Sequence, residues 1–146
     1  MKILVTGANG QLGSELRDLV KIYTHDDFIF VGREEMPLHD LAKIKQILDQ
    51  FHPDLIVNAA AYTAVDKAES EPELADIVNH LAVAKIAEWA KAHDAKLIHI
   101  STDYVFQGNS STPLTESEAT NPINIYGLTK QKGEQAILES GADAVI

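Results

Sequence analysis

Tyr126 and Lys130 stand four residues apart in the stretch NIYGLTKQKGE, residues 124–134. On a helix that spacing puts both side chains on one face. A phenol titrates at about 10 in isolation, and a neighbouring ammonium favours the phenolate and lowers that value. Such a tyrosine can exchange a proton with a substrate oxygen near neutral pH. The same lysine can bond a ribose hydroxyl of a cofactor. By itself the pair also describes an amphipathic surface helix. A partner comes from HISTDYVF, residues 99–106, where Ser101 and Thr102 follow a short apolar run. If that run is a strand, Thr102 lies at its carboxyl end and its hydroxyl can bond the same substrate oxygen. Hydride from a nicotinamide, a proton from Tyr126 and orientation by Thr102 together make a carbonyl reductase.

A dinucleotide needs its own cradle. TGANGQLG follows the first apolar run, with glycines at 7, 10 and 13. Gly7 permits a tight turn, Gly10 lets the backbone approach a pyrophosphate, and Gly13 lets the following helix pack close. The N–H groups opening that helix, around Gln11 and Leu12, make an anion site with the helix dipole. An acid commonly follows strand two to hold the ribose 2′-hydroxyl. Here the sequence is FVGREE, with Gly32 in that place and Arg33 next. The planar fork of Arg33 suits a 2′-phosphate, so NADPH is favoured over NADH, with Glu34 or Glu35 as the alternative ribose ligands. Farther on, Ala59, Ala60 and Ala61 are small enough for a ligand to lie across the strand ends.

These residues need a frame. Apolar runs at Ile3–Val5, Phe28–Val31, Leu55–Val57, Lys96–Ile100 and Ala144–Ile146 read as strands. Segments of helical period alternate with them: Gln11–Val20, Leu41–Phe51 with Asp40 as N-cap, Glu73–Ala92, and Tyr126–Glu139 closed by Gly141. In the first, Leu12, Leu16, Leu19 and Val20 share a face. The alternation predicts a doubly wound α/β fold, a parallel sheet of Rossmann-like type. Phe106–Asn124 is the long irregular segment, of the kind that usually serves function. One NAD(P)-binding domain over 1–146 is expected. The sequence stops at ADAVI, inside what should be a central strand, so further strands and a second subdomain are expected to follow.

Composition narrows the function. The 146 residues carry a net charge of −10, which argues against nucleic acid as partner. The lack of cysteine excludes a disulfide scaffold, a thiolate zinc site and a cysteine nucleophile, and fits a cytoplasmic location. The six histidines lack the spacing of a metal pair. No apolar run approaches the roughly 20 residues of a membrane helix.

VTGANGQLG, VNAAAYTAVDKAESEPE, STDYVFQG, the PLTE run at 113–116, and NPINIYGLTKQKGE resemble the dTDP-4-dehydrorhamnose reductase family, within the extended short-chain dehydrogenase/reductase superfamily. The resemblance runs through essentially the whole chain. It implies NAD(P)H-dependent reduction of the 4-keto group of dTDP-6-deoxy-L-lyxo-4-hexulose to dTDP-L-rhamnose, in polysaccharide synthesis. Thr102, Tyr126 and Lys130 would be catalytic, with Tyr126 and Lys130 also touching cofactor. Gly10, Gln11 and Leu12 would line the pyrophosphate, Asp40 and Leu41 the adenine. Ala61, Tyr62 and Thr63 would touch the cofactor farther along, and Thr63, Val65, Thr102 and Asp103 the sugar nucleotide. Asn79 would have a structural or supporting role. A homodimer and magnesium would come only with the part of the family's fold beyond Ile146. Two other readings share these motifs: an NADP-binding regulatory subunit like that of methionine adenosyltransferase, and another nucleotide-sugar epimerase or dehydratase. The intact Thr102–Tyr126–Lys130 set favours an enzyme. The segments TAVDKAESEP and STDYVF favour the reductase.

Overall fold

The computed structural model describes residues 1–146 apart from Thr24 and Ser110. Five strands form one parallel sheet: β1 Lys2–Thr6, β2 Asp27–Val31, β3 Leu55–Asn58, β4 Lys96–His99 and β5 Asp143–Val145. Their order is β2-β1-β3-β4-β5. The connecting helices are α1 Gln11–Val20, α2 Leu41–Phe51, α3 Val65–Ala68, α4 Pro72–Asp76, α5 Ala82–Ala92 and α6 Ile125–Ser140. This is the parallel α/β sheet the alternating pattern predicts.

Pairing register explains the core. Leu4, Ile56, Leu97 and Ala144 lie side by side across β1, β3, β4 and β5. Strand side chains alternate between faces, so this row points one way. It meets Ile44 and Leu48 of α2, Val83 and Ile86 of α5, and Ile137 of α6, all buried. Ile98 and Ile100 alternate to the other face and are 36% and 44% exposed.

Two departures from the periodic reading matter for the site. Residues 73–92 read as a single helix, but α4 and α5 are joined by a wider π turn, Ile77–Leu81. That turn holds Asn79, 1% exposed, among hydrogen-bond partners that apolar spacing cannot reveal. Strands β1 and β3 each run one residue past their apolar stretch, to Thr6 and Asn58. Their polar ends hide the true strand boundary.

Helix α1 also differs from expectation. Leu12 and Leu19 are 38% and 47% exposed, and Gly13 is its buried residue. A Cβ on Gly13 would lie 2.3 Å from the Gly7 carbonyl oxygen. The start of α1 is thus seated directly on the glycine turn, and its leucines do not dock as a closed apolar face. The irregular 106–124 segment follows a short 3-10 turn, Asp103–Val105, and its Ser110 lies outside the described residues.

Candidate functional site

The strand order reverses between β1 and β3, and the loops leaving their carboxyl ends part there. Such a switch point is where open α/β sheets bind ligands. A cavity of about 870 Å³ opens at this place. Gly7, Gly10, Gln11 and Leu12 line it from the β1 side, Arg33 from the end of β2, and Ala61, Tyr62 and Thr63 from the β3 side.

The glycine turn is built for close approach. Gly7 has φ +70°, and a Cβ there would come within 2.9 Å of the Ala59 backbone. Helix α1 starts at Gly10 with no side-chain cap. By contrast, Asp40 caps α2 through the Lys43 N–H at 3.0 Å, and Asn124 caps α6 through the Gly127 N–H at 2.7 Å. Among the described residues no side chain caps the first turn of α1, and Gln11 and Leu12 sit on the cavity wall. Their N–H groups fit a pyrophosphate.

Other candidates are placed differently. Asp40 and Leu41 are outside the cavity lining, where Leu38 and His39 stand instead. Glu35 accepts the Gly32 N–H at 2.8 Å, and neither it nor Glu34 lines the cavity. Arg33 does, together with a second cation that sequence reasoning missed, Lys67. On the rim, Tyr62 donates its hydroxyl to Glu71 at 2.8 Å, and Lys67 pairs with Glu71 at 2.8 Å. Lys67 and the Tyr62 hydroxyl hold the Glu71 carboxyl below its ordinary range. A Lys67–Glu71 pair four residues apart is visible in sequence, but nothing there says that it faces a ligand cavity.

The catalytic candidates lie on the β4 side and do not line this cavity. Thr102, half-buried, caps the 3-10 turn by accepting the Tyr104 N–H at 3.2 Å, and its hydroxyl donates to Asp103 at 3.3 Å. Tyr126, also half-buried, packs edge-on against Tyr104, with centroids 5.6 Å apart. Val65 opens α3 and is likewise outside the lining. Lys130 is 1% exposed. Its ammonium donates to the Ile100 carbonyl at 2.5 Å, beside His99 Nε2 at 3.2 Å. Burial pulls its pKa down to about 8, opposed by the Glu134 carboxylate. Burial, and then the Lys130 charge, pushes His99 down to about 3.

Helix α6 carries two buried glycines, Gly127 and Gly133, that its packing requires. A Cβ on Gly127 would be 2.2 Å from the Tyr104 carbonyl oxygen, and one on Gly133 2.3 Å from that of Asn79. Both glycines let the helix press backbone to backbone on its neighbours. Asn79 then bridges the two halves of the site. Its side-chain oxygen accepts the Tyr62 N–H at 2.8 Å, and its amide donates to the Tyr62 carbonyl at 3.0 Å and to Thr129 Oγ1 at 3.2 Å. One buried amide thus ties the cavity wall to the turn of α6 that carries Tyr126 and Lys130.

A parallel sheet with an uncapped, glycine-led helix at its switch point defines a dinucleotide-binding type of α/β domain. The whole chain, residues 1–146, matches the model of the RmlD substrate binding domain family, and it belongs to that family. It is 44% identical over 143 residues to a dTDP-4-dehydrorhamnose reductase of Burkholderia thailandensis, covering 98% of this chain and 47% of that protein. A dTDP-4-dehydrorhamnose reductase of Escherichia coli is 42% identical over 153 residues, covering 100% of this chain and 50% of that protein. The chain spans about half the length of the curated relatives it matches. Among solved structures, a dTDP-4-dehydrorhamnose reductase from Bacillus anthracis in complex with NADP superposes with a TM-score of 0.92 at 35% identity, covering 98% of this chain and 50% of that one. A UDP-glucose 4-epimerase of Thermus thermophilus in complex with NAD shares the fold, with a TM-score of 0.82 at 21% identity, covering 97% of this chain and 51% of that one.

Proposed function

We propose that this chain carries the cofactor site and the proton-donating helix of an NAD(P)H-dependent dTDP-4-dehydrorhamnose reductase. The substrate is a dTDP-linked 4-keto-6-deoxyhexose and the product the 4-hydroxy sugar, dTDP-L-rhamnose. The reduced nicotinamide, when bound, supplies the hydride. The N–H groups of Gln11 and Leu12 receive the pyrophosphate, and Arg33, with Lys67 nearby, favours the 2′-phosphate of NADPH. Tyr126 gives its phenolic proton to the substrate oxygen. Thr102 orients that oxygen through its hydroxyl, and Lys130, one helical turn on from Tyr126, completes the catalytic set. Thr63, Val65, Thr102 and Asp103 are the residues that take the sugar nucleotide in this reading.

The observation that carries this reading is the Asn79 clamp. It joins the wall of the dinucleotide-sized cavity to the helix of Tyr126 and Lys130, as hydride delivery to a carbonyl carbon with proton transfer from Tyr126 to its oxygen requires. The test is turnover of the 4-keto dTDP-sugar by the full-length protein, followed as NADPH oxidation. Tyr126→Phe should lower the rate about 10²–10⁴-fold with NADPH affinity little changed. Undiminished turnover in that variant rejects the reading.

A further inference from the structure

Three polar residues occupy the last inward-facing positions of three neighbouring strands. Thr6 pairs with Asn58, and Asn58 with His99, in register across β1, β3 and β4. They form the row directly above the apolar Leu4–Ile56–Leu97 row, on the same face. All are buried: Thr6 is 2% exposed, and Asn58, His99 and Lys130 are each 1% exposed. The catalytic scheme above uses Lys130 and leaves the other three without a role.

Their hydrogen bonds have a direction. The Ala60 N–H donates to Thr6 Oγ1 at 3.1 Å. The Thr6 hydroxyl proton is then free to go to Asn58 Oδ1, at 2.7 Å. With Oδ1 so engaged, the Asn58 amide turns its Nδ2 donor to His99 Nδ1, at 3.0 Å. That nitrogen must accept, so a neutral ring carries its proton on Nε2. Nε2 lies 3.2 Å from Lys130 Nζ. An N–H aimed at an amine is a hydrogen bond. Aimed at an ammonium, it sets donor against donor.

We propose that the Thr6–Asn58–His99 row is a positioning device for Lys130: it fixes His99 as the Nε2–H tautomer, which anchors the amine beside the Ile100 carbonyl and opposes its protonation. The row adds to what burial already does to Lys130, by setting a donor against its ammonium form. Its role in turnover rests on the reductase reading, but its test does not. Burial acts in the same direction, with Lys130 at about 8 and His99 kept neutral. The other charged groups around the amine are few. Glu134, on α6, favours the ammonium and takes the Ser101 hydroxyl. Asp76 and His80, on the helix that α6 packs against, are engaged with Lys132 and each other. Asp103, on the 3-10 turn, accepts from Thr102. Tyr126 lies one turn away on α6.

The first measurement needs no variant. In full-length protein labelled with ¹⁵N-histidine, the His99 ring should show Nε2 protonated and Nδ1 bare at pH 7. A ring protonated on Nδ1 overturns the proposal. The second uses Thr6→Val, which removes the hydroxyl that orients Asn58 without touching the surroundings of Lys130. The amide can then turn, Nε2 can present its lone pair, and the Lys130 midpoint, read from its Cε resonance, should rise by about one pH unit. Thr6→Ser should restore the original midpoint. A folded Thr6→Val protein with an unmoved midpoint refutes the row, because a merely structural threonine predicts that result. Should Thr6→Val not fold, the wild-type tautomer decides. Full turnover by Tyr126→Phe with the expected spectra removes the reductase reading and leaves the row; the wrong tautomer with an inactive Tyr126→Phe does the reverse.

Discussion

Replacing Lys130 by methionine should favour the variant over wild type more at neutral pH than at alkaline pH. The cause is the burial of the amine. Its pKa falls from 10.5 to about 8 on folding. At about 1.4 kcal/mol per pH unit, that fall amounts to about 3 kcal/mol. The sign follows from proton binding. Between pH 8 and 10.5 the unfolded chain holds the Lys130 proton and the folded chain has released it, so stability rises with pH through that window. Its contribution is fully present above 10.5 and is lost as pH falls through 8. The assay is urea unfolding of wild type and Lys130→Met at pH 7 and at pH 10. Other lysines and tyrosines titrate alike in both proteins and cancel in the difference. Methionine also loses the bonds to Ile100 and His99, but that loss enters at both pH values. The stability gap between wild type and variant should therefore move by about 2–3 kcal/mol in favour of wild type from pH 7 to pH 10. A gap that stays constant means that Lys130 titrates normally in the folded protein, and the argument from burial fails.

Three further outcomes are expected. Gly133→Ala drives a Cβ to 2.3 Å from the Asn79 carbonyl oxygen, so it should cost about 1–3 kcal/mol in a thermal melt and loosen the Asn79 clamp, whereas helix propensity alone predicts a gain. His99, held neutral down to about 3, should contribute stability above pH 6.5 that is lost as pH falls toward 3, and His99→Gln should flatten that part of an acid titration. Arg33→Ala should weaken NADPH binding more than NADH binding in parallel titrations; equal losses would remove Arg33 from the 2′-phosphate.

The sheet and the glycine turn were legible because each rests on local chemistry. Apolar β-branched runs and a Gly7–Gly10–Gly13 turn leave marks in sequence at fixed spacing. The boundaries of β1 and β3 were not, since Thr6 and Asn58 end those strands with polar side chains that look like loop. Helix 73–92 was read through its π turn, because periodicity registers an apolar face but not one extra residue within it. Asn79 was visible as a residue, but its two bonds to Tyr62 span 17 residues, and its bond to Thr129 spans 50. No pattern in one sequence gives such a pairing. The same limit hid Lys67 on the cavity wall, whereas Asp40 was legible as the N-cap of α2, where its carboxylate accepts the Lys43 N–H. His99 carries no mark of its own in HISTDYVF, because a buried histidine on a strand looks like a filled core position until its neighbours are known.

The parts of the site are costly as structure, and that is the strongest reason to read them as function. Burying Lys130 subtracts about 3 kcal/mol from stability at neutral pH. Each glycine within α6 weakens the helix by about 1 kcal/mol against alanine. Together these approach the whole stability of a marginal domain, about 5–15 kcal/mol. An apolar residue at 130 would remove the first cost. It would also remove the hydrogen-bond partner that His99 Nε2 has among the described residues. The glycines cannot be filled singly either, because Gly127 and Gly133 each hold a carbonyl at a distance that no Cβ permits. A sequence selected for stability alone would not assemble these features around one turn of one helix. Their concentration at the carboxyl edge of the sheet is what a site requiring a fixed, weakly basic amine would demand.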